Sequence, residues 1–442
     1  MEQLNLIIDT YQRIILESES QLAKVKRRIY RIGTLRLILF AAGVAGIIYF
    51  WSESRLVISG IAAITFIPFL LLVKLHNRLF RQKDYLEKKI EINRQELQAI
   101  AYDTSAFDNG KEFIDPAHLY TYDLDVFGEH SLFQYINRTA TQPGKKRLAE
   151  WMNTHLKNKA EIEKRQEAVK ELAPELEMRQ HFRILGLLHK GKTADEEEIR
   201  NWATSPEHYR KKWYFRTLAI LVPLANAVCL GLAIAGVISF TTWGIVFAGI
   251  GLLSSSFSKG VSQMQSVYGK KMQILTTYAH LIHIIEEKEM ESSALKRVKG
   301  LVGGEKQTAS QAVKRLTALM NALDQRNNML MQFVLNGLFF WELRQVMKIE
   351  TWKESFAANL PHWLEAIGEM DAYCSLATFA YNHPGYVFPE IASKPFCMEA
   401  GALGHPLMDR DKCVRNDIQI AKRPFFVIIT GANMAGKSTY LR

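Results

Sequence analysis

The sequence is short of several things, and each shortage excludes a class of protein. Its 442 residues hold four cysteines, Cys229, Cys374, Cys397 and Cys413, with no CxxC spacing and no even framework. That excludes a disulfide scaffold or a zinc ribbon and suits a reducing compartment. His280 and His283 stand three apart on an expected helix, but no Cys, Asp or Glu at a telling ligand spacing joins them, so no metal is expected. No signal-peptide pattern opens the chain: residues 1–31 are polar and helical in pattern, and the first apolar run begins at Leu35. Proline is absent between Leu224 and Leu360, and charge is absent from Thr217 to Ser258.

What is present is a basic, folded chain. Hydrophobic residues make up 48% and charged residues 23%, which argues against disorder, and the net charge of +11 points to nucleic acid or an anionic membrane surface. The position of the charge favours the membrane. Leu37–Trp51 and Leu56–Val73 are uncharged runs separated by Ser52, Glu53, Ser54 and Arg55. The block from Thr217 to Ser258 has room for two further spans with a turn near Ser239–Trp243. In hydrocarbon each run must be helical, because every backbone group needs an internal partner. Lys24, Lys26, Arg27, Arg28, Arg31 and Arg36 precede the first pair and Lys74, Arg78, Arg81 and Lys83 follow it. Arg210, Lys211, Lys212 and Arg216 precede the second, and Lys259, Lys270 and Lys271 follow it. The positive-inside tendency then predicts two hairpins that dip from the cytoplasm and return to it. The competing reading is buried helices of a soluble core.

Arg78–Ala101 keeps a helical spacing and continues the membrane helix, whereas Asp103–Glu129 is rich in Asp, Gly and Pro and reads as a linker. Helical patterning returns from Ser131 to His208. After the second hairpin, Val261, Met264, Tyr268, Met272, Leu275, Ala279, Ile282 and Ile285 recur at three- and four-residue steps, which predicts one long amphipathic helix. Gly300–Gly304 breaks the run, and helices resume through Trp352 and from Pro361 to Tyr381. Beyond Asn382, Pro and Gly become frequent, and Phe425–Thr430 is a β-branched run of buried type.

The spacing GxxxxGK[ST] occurs twice. The copy Gly186–Thr193 follows a segment interrupted by Arg179, His181 and Arg183, and four carboxylates at Asp195, Glu196, Glu197 and Glu198 would repel a triphosphate. It is set aside. The second copy runs Gly431, Ala432, Asn433, Met434, Ala435, Gly436, Lys437, Ser438, and a strand-like run delivers the chain to it. In such a loop the backbone N–H groups form an anion nest and the following helix turns its positive end toward phosphate. Lys437 is placed to reach the β- and γ-phosphates of ATP, Ser438 to ligate Mg²⁺, and Thr439 to add a hydroxyl near the α-phosphate. Hydrolysis needs a second strand ending in acidic residues, which the sequence up to Arg442 does not contain. Roughly 100–200 further residues are therefore expected to complete the ATPase domain. The full-length protein is expected to hydrolyse ATP, and the present chain to be inactive.

Thr430–Arg442 closely resembles the phosphate loop of the MutS family of DNA mismatch-repair ATPases, with Asn433 and Met434 inside the loop and Ser438, Thr439, Tyr440, Leu441 and Arg442 after it. Gly404, His405, Pro406 and Leu407 resemble that family's His-Pro turn. Val414–Ile418 is similar to its segment beside the adenine, which would put Val414 and Asn416 there. Leu132–Trp151, Glu163–Leu172 and Glu369–Ala380 resemble parts of the MutS core. Ala432 stands where the family usually has Pro and Ala435 where it usually has Gly, and neither change removes an N–H. Phe127, Gly128 and Glu129 spell the family's mismatch-reading triplet at a position that makes it accidental, and the first hairpin occupies the place of the mismatch-reading domain.

The resulting expectation is a mainly α fold, membrane helical hairpins plus MutS-like core and lever helices, with the start of a C-terminal α/β P-loop ATPase domain. Residues 1–102 form a helical region with spans at 37–51 and 56–73, and 103–130 a linker. Residues 131–381 form the core and lever domain, interrupted by spans at 217–238 and 243–257, and 382–442 open the ATPase domain. The resemblance implies ATP and Mg²⁺ as cofactors, double-stranded DNA and membrane lipid as partners, and a homodimer through the ATPase domain at the cytoplasmic face of a membrane. An ABC-type transport ATPase and a non-catalytic ATP-binding scaffold remain as alternatives.

Overall fold

A computed structural model describes the chain except for residues 1, 53, 189–192, 269–270, 305–307, 325–328, 393–396, 421–427, 429, 431–435, 437–438 and 440–442. The described residues are mainly helical. In chain order the helices are α1 (Glu2–Tyr49), α2 (Arg55–Ile100), α3 (Leu132–Ile136), α4 (Gln142–Asn153), α5 (Lys159–Leu172), α6 (Leu176–Leu188), α7 (Thr193–Thr204) and α8 (Trp213–Ile234). They continue with α9 (Phe240–Tyr268), α10 (Lys271–Glu287), α11 (Ser293–Val302), α12 (Ala309–Asp324), α13 (Met329–Phe339), α14 (Trp341–Phe356) and α15 (Leu360–Asn382). Two strands follow, β1 (Met398–Leu403) and β2 (Asn416–Ile420), paired antiparallel with Met398 opposite Ile420 and a shift in register between Ala400 and Leu403.

The chain divides into two compact units, one formed by Met1–Asn137, Ala173–Ile184 and Leu376–Arg442, the other by Arg138–Leu172 and Leu185–Ser375. In the first unit α1 and α2 pair along their length as a helical hairpin turned at residues 50–54. Charge patterning decides what each stretch of the pair does. Away from the turn, Val25, Leu79 and Leu86 are buried between the helices, with Leu22, Ile29 and Ile32 packed against them. Lys26–Glu87 and Arg94–Glu19 ion pairs bind the rims of this stretch. Towards the turn the charges stop, and Leu37, Ile38, Phe40, Ile64, Phe66 and Leu71 stand exposed. At the opposite end the buried Tyr11 donates its hydroxyl hydrogen to Asn382 Oδ1 at 2.8 Å, and Asn382 Nδ2 donates to Glu96 Oε2 at 2.9 Å. Arg183 completes the row with an ion pair to Glu96 at 2.5 Å.

Residues 103–130, expected as a linker, are built into this unit. They carry a short 3-10 turn at Lys111–Phe113 and bury Phe107, Val126 and Phe127, and the rings of Phe113 and Phe127 pack on Phe133. Gly110 is required there: its φ is 65°, and a Cβ would lie 2.7 Å from the Phe133 ring. The aromatic residues outweigh the Asp, Gly and Pro content that suggested a free connection.

In the second unit α8 and α9 form the second apolar hairpin, with the turn at residues 235–239 rather than at 239–243. Ser239 ends the turn as a helix cap, its Oγ accepting from Thr242 N at 3.1 Å. The long helix expected over 261–285 is described as α9 up to Tyr268 and α10 from Lys271, with 269–270 outside the described residues. Helix α13, not distinguished by the sequence pattern, is uncharged and packs against α8 and α9. Gly337 and Gly251 permit that approach, since a Cβ at Gly337 would sit 2.4 Å from the Phe247 ring and one at Gly251 3.0 Å from the Phe333 ring.

Candidate functional site

A buried polar site centres on Asp371, which is 1% exposed on α15. Its carboxylate accepts from Ala140 N at 3.0 Å, from Thr141 N at 2.8 Å and from the Thr141 hydroxyl at 2.7 Å. Thr141 in turn caps α4, its Oγ1 accepting from Gly144 N at 3.0 Å. A helix starts here because a β-region Thr cap precedes Pro143, whose missing N–H costs nothing in the first turn. The positive end of α4 then faces a buried carboxylate, a favourable charge–dipole pairing. Ser375 adds a bond from Arg138 N at 2.8 Å, and Gly368 admits Pro143 O, which a Cβ would meet at 2.9 Å. Residues 368, 371 and 375 share one helix face, so α15 presents a single polar seam to the segment entering α4.

Charged residues extend this seam. Arg147 pairs with Glu150 at 3.1 Å and lies 3.7 Å from Glu365, while Arg297 hydrogen-bonds Glu369. Arg165 lies 4.2 Å from the Trp151 ring centroid. The bond from Glu369 holds the Arg297 guanidinium above its ordinary value, and burial raises the Tyr373 hydroxyl beside it. These contacts tie α4, α5, α11 and α15 to one another. Among the described residues no cluster of three metal-ligating side chains exists, and His283 faces Glu286 and Glu287 instead of a metal set.

The loop expected to bind nucleotide is described only at Gly436 and Thr439. Gly436 has φ 78° with no atom within 4 Å of the place a Cβ would take, and Thr439 is helical. Gly431, Ala432, Asn433, Met434, Ala435, Lys437 and Ser438 lie outside the described residues. Of the run Phe425–Thr430, Ile428 and Thr430 are described; neither is in a strand, and Ile428 is 83% exposed where burial was expected. Val414 is 78% exposed, and Asn416 opens β2 opposite Leu403. His405 Nδ1 accepts from Leu407 N at 3.3 Å, and Arg410 donates to Asn382 O at 3.2 Å.

Beside Arg410 the first unit carries an aromatic cluster that the sequence did not signal. Tyr102 stacks on Tyr135 at 6.0 Å and 8°, Tyr135 bonds His383 Nε2 through its hydroxyl at 2.7 Å, and Tyr386 packs on His383. Burial raises the hydroxyls of Tyr102 and Tyr386, and the positive Arg410 partly offsets this in both. A spacing rule could not find these residues, because the cluster joins positions more than 240 residues apart.

The earlier GxxxxGK[ST] copy does not form a loop after a strand. Its upstream part is helix α6, and Gly186 serves packing, since a Cβ there would lie 2.6 Å from Ala140 Cβ. Residues 189–192 of that copy lie outside the described residues.

A family comparison decides what this helical frame is. The family profile of MutS domain III matches residues 118–377, which takes in the whole Asp371 seam. The chain belongs to the MutS family. Its relatives include a DNA mismatch repair protein msh3 of Aspergillus niger, 24% identical over 373 residues, a match covering 73% of this chain and 32% of the relative. A DNA mismatch repair protein MutS of Haloquadratum walsbyi is 44% identical over 105 residues, covering 23% of this chain and 10% of the relative. A MutS of Thermus aquaticus is 40% identical over 77 residues, covering 17% and 9%. The chain thus spans a third or less of the length of these curated relatives. No solved structure matches it. Membership in MutS displaces the ABC-type alternative, which shared only the phosphate loop, because the matched residues lie upstream of that loop.

Within this MutS chain the apolar helices stand out. Among the described residues three helices are long and apolar enough to cross a membrane: Glu2–Tyr49, the stretch Leu56–Ile100, and Trp213–Ile234. Phe240–Ser254 is a shorter apolar helix. Almost none of the apolar windows in the three long helices is buried by protein. Trp213–Ile234 and Phe240–Ser254 fall inside the stretch matched to MutS domain III.

Proposed function

We propose that the protein is a membrane-anchored, ATP-binding member of the MutS family that carries a mismatch-repair-like DNA-binding activity on the cytoplasmic side of an inner membrane. One observation carries the anchoring: the uncharged surfaces of α1, α2 and α8 stand uncovered by protein, flanked by lysine and arginine. In water an uncovered apolar area of this size is a liability, and in lipid it is the required surface. The names of the relatives, DNA mismatch repair proteins, support the DNA reading.

ATP with Mg²⁺ fits the end of the chain. The left-handed backbone of Gly436 suits a loop that turns its N–H groups inward, and no side chain crowds it. Residues Gly431 to Thr439 would enclose the phosphates, with Lys437 toward the β- and γ-phosphates and Ser438 toward Mg²⁺; Val414 and Asn416 would lie on the adenine side. Homodimerisation through a completed ATPase domain would bring two such sites together.

The test uses the 442-residue chain reconstituted in vesicles. A fluorescent ATP analogue with Mg²⁺ should bind the wild type, and Lys437→Ala should weaken binding at least tenfold without releasing the protein from vesicles. Equal binding by both would overturn the nucleotide assignment. Recovery of the wild type in the soluble fraction, away from floated vesicles, would overturn the anchor.

A further inference from the structure

Helix α13 is 11 residues long, about 16 Å at 1.5 Å per residue, against a hydrocarbon core of about 30 Å. It cannot span. Yet the stretch from Met329 to Trp341 carries no charge, and Phe333, Val334 and Phe339 are 45%, 42% and 45% exposed. Such an apolar, half-exposed helix would normally be a defect in a soluble protein.

The backbone at its end is treated as if water were absent. The chain breaks at Phe340, fully buried with φ 51°, an expensive conformation for a bulky residue. A helix end leaves carbonyls without partners, and solvent usually satisfies them. Here the Asn226 amide, from α8 and 3% exposed, donates to Gly337 O at 3.0 Å and Leu338 O at 3.3 Å. Its own Oδ1 accepts from Trp243 Nε1 of α9 at 3.0 Å. On the other side of the break Asn336 Oδ1 accepts from Glu342 N at 3.0 Å, and Gln332 donates to Glu342 at 2.8 Å. Polar groups are thus satisfied from within while apolar side chains face outward. A soluble core shows the first property without the second; a helix in lipid needs both.

We infer that α13 is a third lipid-immersed element, a non-spanning helix that enters the acyl region beside α8 and α9 and turns back at Phe340, with Asn226 as the pin joining all three. The occupant of its outer face is phospholipid acyl chain. The face continues the charge-free surface of α8 and α9, whose approaches carry Arg210, Lys211, Lys212 and Arg216, suited to anionic headgroups. The inference rests on the membrane reading of α8 and deepens it.

The test places an environment-sensitive fluorophore on Val334→Cys or Phe339→Cys, with Cys229, Cys374, Cys397 and Cys413 replaced by alanine. The full chain is held in vesicles of phosphatidylcholine and phosphatidylglycerol. Doxyl-labelled lipid should quench more than half of the emission, and aqueous iodide should leave it unchanged. Quenching by iodide overturns the inference, and so does protection from both quenchers, which would mean a protein cover. Labels at Ile64→Cys and Ile220→Cys separate the two levels: quenched by lipid there but not at 334 or 339, α13 alone is refuted; unquenched at all four, the anchor falls as well. Should the cysteine-free chain not fold, photoactivated phospholipid is crosslinked to the unaltered protein and the modified peptides are mapped. Adducts within 329–341 support immersion, and adducts in α2 and α8 without any in 329–341 refute it.

Discussion

Gly144 lacks a side chain because Asp371 fills the space one would need: a Cβ there would lie 2.1 Å from Oδ2 and 2.5 Å from the Asp371 Cβ. Gly144→Ala gains about 1 kcal/mol of helix propensity. It must also push the carboxylate off the Ala140 and Thr141 amides, and overpacking plus stranded buried donors costs about 2–5 kcal/mol. The clash wins, so the variant should unfold at a lower urea concentration in detergent; an unchanged midpoint would contradict the seam. Gln142, Pro143 and Gly144 form the first turn of α4, capped by Thr141. Asp371 was not legible, because its partners lie about 230 residues away and nothing in local spacing reports that. The expected phosphate loop is the opposite kind of signal, since its pattern is written in adjacent residues, most of which lie outside the described ones.

The apolar pair of α1 and α2 was legible to within a few residues, because uncharged runs with basic flanks leave a signal that no tertiary contact has to complete. Helix α13 was not, being short, interrupted by Gln332 and Asn336, and given meaning only by Asn226 on another helix. The segment 103–130 misled for a related reason, since its breakers dominate the composition while a few phenylalanines determine its packing. Ile64, 74% exposed at the middle of the α2 run, discriminates the environments of this element. Ile64→Arg on a watery surface should change stability by no more than about 0.5 kcal/mol. In a bilayer centre arginine costs about 2.5–3.5 kcal/mol on insertion scales. The variant should shift from the membrane fraction to the soluble or degraded fraction in cells, and unchanged fractionation would remove α2 from the bilayer.

For the molecule as a whole, MutS domain III supplies a frame that this chain interrupts with uncharged helices uncovered by protein. On the proposed membrane anchoring, the basic flanks of both hairpins would put their turns, around Ser52 and Ser239, on the far side of the membrane. Cysteines placed at those two serines, in the background lacking native cysteines, should react with an impermeant maleimide only from outside the cell. A cysteine restored at position 413 should react only after permeabilisation. Labelling of Ser52→Cys from the inside would reverse the orientation.

The unbroken run of α2 past the apolar stretch has a consequence for reach. From Lys74 to Glu96 the helix covers roughly 33 Å, and Lys26–Glu87 and Arg94–Glu19 stiffen it against α1. The surface potential of anionic lipid decays over about 8 Å in physiological salt. On the proposed membrane anchoring, the far tip of this strut, where Tyr11, Asn382 and Glu96 meet, would stand up to several screening lengths from the headgroups. A polyanion approaching that tip would feel the charge of the protein and almost none of the repulsion of the bilayer.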